Sequence, residues 1–408
     1  MKERPRMTMT LPQAAVLLVA LQPVTGMQGT VWTILALAIV AIWYAARHGV
    51  AHDRCAWRNV LLLGLPFLLM LPDIARAQDP ITGWRSTERA AALLVLPLLF
   101  IGLRLPIDGT TRRRALDLFS LAALVLMIYG GVWAIGFPSA GPEAYGGSVS
   151  RAFREEFARA TGVHAVYAMY YFLTAALFQV HAAWHRERWA HPRGAVAVCL
   201  LFGAVWMASR MPVLGFLAGA IVIAVHRPRT ERRLHWSLPL IALATGLVAF
   251  LFAVPNMAER LGQLIPQEEP TRSPDAIRGE ILHCTIAGLE DHWLLGTGLA
   301  NVQPTLDACY AQYHDPILSD GHHGTHMQAF HWWLGMGLAG LGAFALLFGR
   351  SLWLARSRVD PLHLAFVVMV LLCSFTEDLL SRQWGVVLFA YFNALFLASP
   401  AEAPARSR

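Results

Sequence analysis

The stretch DLFSLAALVLMIYGGVWAIGF, residues 117–137, carries one charge, Asp117, and stands just beyond the run Arg112-Arg113-Arg114. It is long enough to cross a bilayer as a helix, which takes roughly 20 apolar residues. Eleven further apolar stretches surround it, near 11–26, 30–46, 59–73, 90–105, 163–183, 194–209, 211–226, 237–254, 328–349, 362–376 and 384–398. Several are shorter than a full span, and interior residues such as Pro66, Pro97 and Gly215 are tolerated in packed membrane helices. Composition agrees: 56% of the chain is apolar, 14% is charged and mean hydropathy is +0.47. Soluble domains run near 45–50% apolar and about 25% charged. These values exclude a water-soluble globule, a disordered chain, collagen and coiled coil. The expected fold class is all-α, a polytopic integral membrane protein of about twelve transmembrane helices with a helical periplasmic loop.

The charges orient this array. With the N-terminus placed in the cytoplasm, the inside segments hold 22 Lys/Arg and 8 Asp/Glu, and the outside segments hold 11 and 18. Short loops rich in Lys and Arg face the cytoplasm, so both termini are expected inside. The pI near 9.5 is therefore a topology signal rather than a nucleic-acid footprint. The first apolar stretch follows basic residues as a signal peptide does, but no convincing small-x-small cleavage site follows it, and it reads as an uncleaved helix. Residues 1–254 carry the first nine stretches. Residues 255–327 form the one large outer loop, and 328–408 carry the last three stretches and a short cytoplasmic tail.

Within that loop, Ser273-Pro274-Asp275 has the order of a helix start. Ile277, Ile281, Leu282, Ile286, Leu289 and Trp293 follow at helical spacing, and Gly296 ends the pattern. A second short helix is expected from Pro304 to before Asp315-Pro316. Cys284 and Cys309 share this loop and are either a disulfide staple across the two helices, as an oxidising periplasm allows, or two buried thiols. Cys55, Cys199 and Cys373 lie in the cytoplasm or in membrane helices.

Chemistry concentrates on the outer side. Arg210, in Ser209-Arg210-Met211-Pro212, is the only charge between two apolar stretches. It is either a snorkelling arginine or a guanidinium turned toward phosphate oxygens. Arg278 is either a solvated helix residue or a second such cation. Arg151, Arg154 and Arg159, mixed with Glu155 and Glu156, read as a solvated amphipathic face or as the lining of a lipid-phosphate path. The densest cluster is Gly321-His322-His323-Gly324-Thr325-His326. Three histidines invite a zinc reading, but no His-Glu-x-x-His motif completes it, and no metal is expected. An imidazole here suits a general base. There is no P-loop and no Asp-x-Asp pair, so a diphosphate bound here relies on fixed positive charge.

These residues resemble the O-antigen ligases of the bacterial inner membrane, in the superfamily that also holds O-antigen polymerases and protein O-oligosaccharyltransferases. Ser209-Arg210 is similar to the family's Ser-Arg element. Arg278 followed by Trp293-Leu294-Leu295-Gly296-Thr297-Gly298 resembles its Arg…Pro-Leu-Leu-Gly-x-Gly stretch, with tryptophan in place of proline. His326 with Gly337 and Gly340 resembles the ligase histidine motif, with Met327 at the usual polar position and Gln328 one residue later. Glu377-Asp378 falls where the family carries an acid, and His164 has a looser likeness. The resemblance implies transfer of a glycan from undecaprenyl diphosphate to lipid A-core at the periplasmic face, with no cofactor and no nucleic acid. It implies His326, Arg210 and Arg278 as catalytic residues. Arg159, His164, His322, His323, Glu377, Asp378 and Arg382 are the wider set of substrate-binding candidates.

A polymerase or a protein O-oligosaccharyltransferase is the alternative within the superfamily; the single large loop, the glycine ending and the short tail favour the ligase. A lipid or solute transporter is the alternative outside it. Transporters bury ionisable groups near the midplane and carry inverted repeats, whereas here these groups gather at the outer ends and no repeat is found.

Overall fold

A computed structural model describes residues 9–145, 149–184, 190–207, 210–226, 274–313, 318 and 323–400. The ninth apolar stretch, 237–254, lies outside the described residues, as do the first part of the large outer loop, Ser209, Ser273, Asp315-Pro316 and His322. Among the described residues the chain is helical and has no strand. The first helices are α1 (Leu11–Val19), α2 (Gln22–His48), α3 (Arg54–Met70), α4 (Pro80–Ala90), α5 (Ala92–Pro97), α6 (Gly109–Gly136) and α7 (Val149–Thr161). They are followed by α8 (Ala165–Trp184), α9 (Ala190–Trp206), α10 (Arg210–Val225), α11 (Pro274–His292) and α12 (Val302–Tyr310). The last three are α13 (Gln328–Ser357), α14 (Pro361–Cys373) and α15 (Gln383–Ala398).

Helix starts follow local chemistry. Asp53, Asp79, Asp108 and Asp360 accept backbone N–H groups at the first turns of α3, α4, α6 and α14, and Pro80 and Pro361 follow directly as first helical residues. All eleven apolar stretches within the described residues hold helix. Among the described residues, four segments are long and apolar enough to cross a membrane: Gln22–His48, Arg54–Arg76, Gly109–Gly136 and Gln328–Ser357. A fifth is the pair Arg151–Thr161 and Ala165–Trp184, bent by 83°. The remaining apolar helices are shorter than the expected spans, and several stretches are interrupted. In 90–105, α5 gives way after Pro97 to a π turn, Leu98–Gly102; proline removes an N–H from the regular ladder. In 328–349, Gly337 breaks α13 with φ 65° and ψ −154°. Gly26 breaks α2 in the same way, at the join expected between the first two stretches.

The centre is α15. Every residue from Gly385 to Phe396 is buried, as expected of a helix that is apolar all round. Phe119, Phe178, Phe366, Phe392 and Phe396 interleave there at ring separations of 4.7–6.3 Å. A smaller apolar cluster joins Ile281, Cys284 and Leu289 of α11 to Val302, Leu306 and Tyr310 of α12 and to Leu334 of α13. Cys284 and Cys309 are disulfide-bonded across α11 and α12, which settles the two readings of that pair in favour of the staple.

Polar contacts between distant segments fall into two sets. Arg112–Asp360, Arg193–Asp117, Arg350–Asn59 and Arg358 with the Ser399 carbonyl join segments that the charge pattern places inside. Asp378 with Thr325 and Arg76 with the Leu295 carbonyl join segments it places outside. The Arg112–Asp360 pair is bidentate at 2.5 and 3.0 Å, with side chains only 0% and 3% exposed. Removing one partner strands a buried charge. We therefore expect Arg112→Ala to cost roughly 3–5 kcal/mol, seen as a lowered thermal midpoint of the purified protein, with Arg112→Ala/Asp360→Ala regaining part of the loss.

Candidate active site

His326 lies in the short link before α13 and has φ 53°, a left-handed backbone unusual for any residue but glycine. Such a state costs on the order of 1–3 kcal/mol and persists only where its surroundings impose it. Asp378, in the link after α14, imposes it here. One carboxylate oxygen accepts the Thr325 hydroxyl at 2.8 Å, and the other accepts the His326 backbone N–H at 3.2 Å. Gly324 makes room: a Cβ there would stand 2.6 Å from the Asp378 carboxylate. Gln328, fully buried, fastens the start of α13 to the same link. Its N–H donates to the Ser374 carbonyl, its amide donates to Ser381, and its amide oxygen accepts the Leu380 N–H. Gln328, the polar residue one place beyond Met327, thus braces the link after α14 and makes no hydrogen bond to the His326 ring.

Glu377 has a different task. Its carboxylate stands 3.8 Å from His326 Nδ1. It raises the imidazole pKa above the ordinary histidine value, against the opposing effect of burial. The sequence left Glu377 and Asp378 undivided; the geometry separates them, Asp378 on the backbone and Glu377 on the ring.

These groups line a cavity of about 490 Å³ together with His164, His323, Tyr167, Trp384 and Arg382. His164 stands in the short link between α7 and α8. The His323 carbonyl accepts from Gln303 and from the Tyr310 hydroxyl, which ties the histidine link to α12. On the remaining wall, α4 contributes Thr82, Ser86 and Arg89, spaced at i, i+4 and i+7 on one helical face. These three were not among the residues singled out from the sequence. Their spacing was visible, but the helix sits in a short polar segment between two apolar stretches, where nothing marks it as a wall of a site.

Other expected residues lie elsewhere. Arg159 pairs with Glu156 at 3.0 Å, and Glu156 also accepts from Ser139. Arg159 does not line the cavity, because its charge is engaged on α7. Arg278 is exposed on α11 and does not line the cavity either, although its positive charge is felt at His326. Arg210 opens α10, but its side chain and the whole of His322 lie outside the described residues.

The motif glycines are places of backbone contact. The Thr297 and Gly298 N–H groups donate to the carbonyls of Leu334 and Gly335, and the Leu338 N–H donates to the Leu294 carbonyl. A Cβ on Gly337 would lie 2.1 Å from the Leu294 oxygen, and one on Gly296 would lie 2.4 Å from the Gly335 oxygen. Gly340 is closed in the same way by the Trp332 carbonyl. The segment Trp293–Gly298 thus docks edge-on against the break in α13. Arg76 donates to the Leu295 carbonyl at 2.8 Å and pairs with Asp73, closing the dock from the 3-10 turn Pro72–Arg76 that follows α3. Among the described residues, the one cluster with metal-ligand geometry is His283, Cys284 and Cys309, and its two sulfurs are joined to each other in the disulfide.

The sequence profile of the O-antigen ligase family matches residues 195–345. The matched stretch, just over a third of the chain, holds Arg210, Arg278, His326 and the glycine dock, and is a likeness to that family over these residues. Comparison with curated proteins gives no match.

Because Glu377 raises the His326 pKa, Glu377→Gln is expected to lower it toward or below the ordinary histidine value. Titration of histidine ring carbons by NMR in nanodiscs measures this. An unchanged His326 pKa would remove Glu377 from the pair.

Proposed function

We propose that this chain is an O-antigen ligase, an inverting and metal-independent glycosyltransferase of the bacterial inner membrane. In this reading both termini are cytoplasmic and the cavity opens to the periplasm. The donor is O-antigen on undecaprenyl diphosphate and the acceptor is lipid A-core. One observation carries the proposal: an imidazole held in a strained backbone, with its pKa raised by a carboxylate, at the wall of a cavity that also presents arginines. The match over residues 195–345 supports it.

The chemistry follows from the geometry. With Glu377 on the Nδ1 side, Nε2 is the ring nitrogen left to take a proton. An acceptor hydroxyl oxygen attacks the anomeric carbon of the donor and its proton passes to His326 Nε2. The bond from the anomeric carbon to the diphosphate oxygen breaks on the opposite face, and configuration inverts. The diphosphate leaves with an added negative charge, which guanidinium groups offset, Arg210 and Arg278 being those expected from the motifs. Glu377 stabilises the imidazolium formed, and Asp378 fixes the ring's approach by fixing its backbone. Orientation of this kind supplies a large share of rate enhancement.

His326→Ala is expected to abolish transfer with protein levels unchanged, read as loss of ligated lipopolysaccharide from purified protein, lipid-linked glycan and lipid A-core. Rough core with accumulated lipid-linked polymer in a deletion strain indicates a ligase, whereas core bearing one repeat indicates a polymerase. The same purified reaction should proceed in excess EDTA; chelator-sensitive turnover overturns the metal-free mechanism.

The base must be neutral to act. The rate should therefore rise with pH through the His326 pKa, and Glu377→Gln should move this ascending limb to lower pH while reducing the maximal rate.

A further inference from the structure

The geometry points to the α4 wall of the cavity as the subsite for a phosphate group on the acceptor glycolipid, with Arg89 as its anion-binding residue. This rests on the proposed function. Arg89 lines the cavity, and its side chain makes no ion pair or hydrogen bond with any described residue. That is unlike Arg76, Arg112 and Arg193, each engaged by a carboxylate. Ser86 stands about one turn earlier on the same helix and also lines the cavity, adding a hydroxyl to that wall. The Thr82 hydroxyl is already given to the Asp79 cap at 2.6 Å. A fork of N–H donors with a neighbouring hydroxyl suits the several oxygens of a phosphate.

Position selects the acceptor over the donor. α10, which begins at Arg210, packs against α8, α9 and α14. α4 instead packs against α3, α5, α15 and the links Leu299–Asn301 and Leu379–Ser381. An inverting displacement needs nucleophile and leaving group on opposite faces of the reacting carbon. With the diphosphate held on the Arg210 side, the α4 side is left to the incoming glycolipid. Exposed Ile81 and Trp84 lie on the same helix, 62% and 59% accessible. An apolar edge of this kind sits at the bilayer surface, where a lipid-anchored acceptor presents its sugars.

Equilibrium binding to the full-length protein in nanodiscs tests this, with intact lipid A-core, the same glycolipid after enzymatic dephosphorylation, and undecaprenyl diphosphate. The wild-type chain should bind intact acceptor about tenfold more tightly than the dephosphorylated form, the scale of one charge-assisted hydrogen bond. Arg89→Ala should erase that difference, Arg89→Lys should keep part of it, and neither should weaken undecaprenyl diphosphate binding more than twofold, on the order of a surface effect. A preserved difference in Arg89→Ala, or a loss falling on undecaprenyl diphosphate instead, overturns the assignment. His326→Ala should leave the binding contrast intact. A chain that shows this contrast yet transfers no glycan refutes the ligase reading and not the subsite.

Discussion

A carboxylate that grips two consecutive residues governs the site. Asp378 takes the Thr325 hydroxyl with one oxygen and the His326 N–H with the other, and the histidine is left in a backbone state it would otherwise abandon. A left-handed residue reverses the local direction of the chain, so its side chain leaves the backbone where a helical or extended residue would not place it. The imidazole can then meet Glu377, the neighbour of the acid that holds its backbone. Two adjacent acids thus act on two parts of one residue, and neither substitutes for the other. Gly324 belongs to the same device, since any larger residue would collide with Asp378.

Beyond this grip the helical scaffold is joined by backbone contact. A continuous α13 would satisfy its own hydrogen bonds and offer none. Broken at Gly337, it presents the carbonyls of Leu334 and Gly335 to the N–H groups of Thr297 and Gly298. A buried polar backbone group must be paired somewhere, and here each segment satisfies the other. The dock fixes the C-terminal end of α11, and the disulfide then ties α11 to α12. Through the His323 carbonyl, α12 reaches back to the histidine link. Residues that make no contact with a substrate therefore decide where His326 stands.

The sequence disclosed what depends on composition and period. The apolar stretches, the paired outer-loop helices from Pro274 and near Pro304, and the candidacy of His326 follow from bulk properties or from residue chemistry. It did not disclose the break at Gly337, because a glycine inside an apolar run is equally compatible with an unbroken helix, whereas the break at Gly26 falls at the end of the first expected stretch. Nor did it separate Glu377 from Asp378, a choice made by contacts between links 52 residues apart. The pairing of Arg159 with Glu156 was not legible either, because spacing shows which charges are near one another but not which are already paired. Arg89 escaped notice for the converse reason: it sits in an ordinary polar segment, and only the folding of α4 against the Leu379–Ser381 link brings it to the cavity.

The arginines also divide by partner. At the end the charge pattern places inside, Arg112 and Arg193 meet carboxylates, while Arg350 and Arg358 meet side-chain or backbone oxygens. These cations are consumed by the fold. At the opposite end, where acids outnumber bases, Arg89 and Arg382 line the cavity without ion pairs among the described residues. Glu377 and Asp378 are near, yet they are directed onto His326 and Thr325. The two carboxylates balance the two guanidiniums in overall charge across the cavity, but their hydrogen bonds are spent on the histidine link, so the N–H donors of Arg89 and Arg382 face the cavity without a direct acceptor among the described residues.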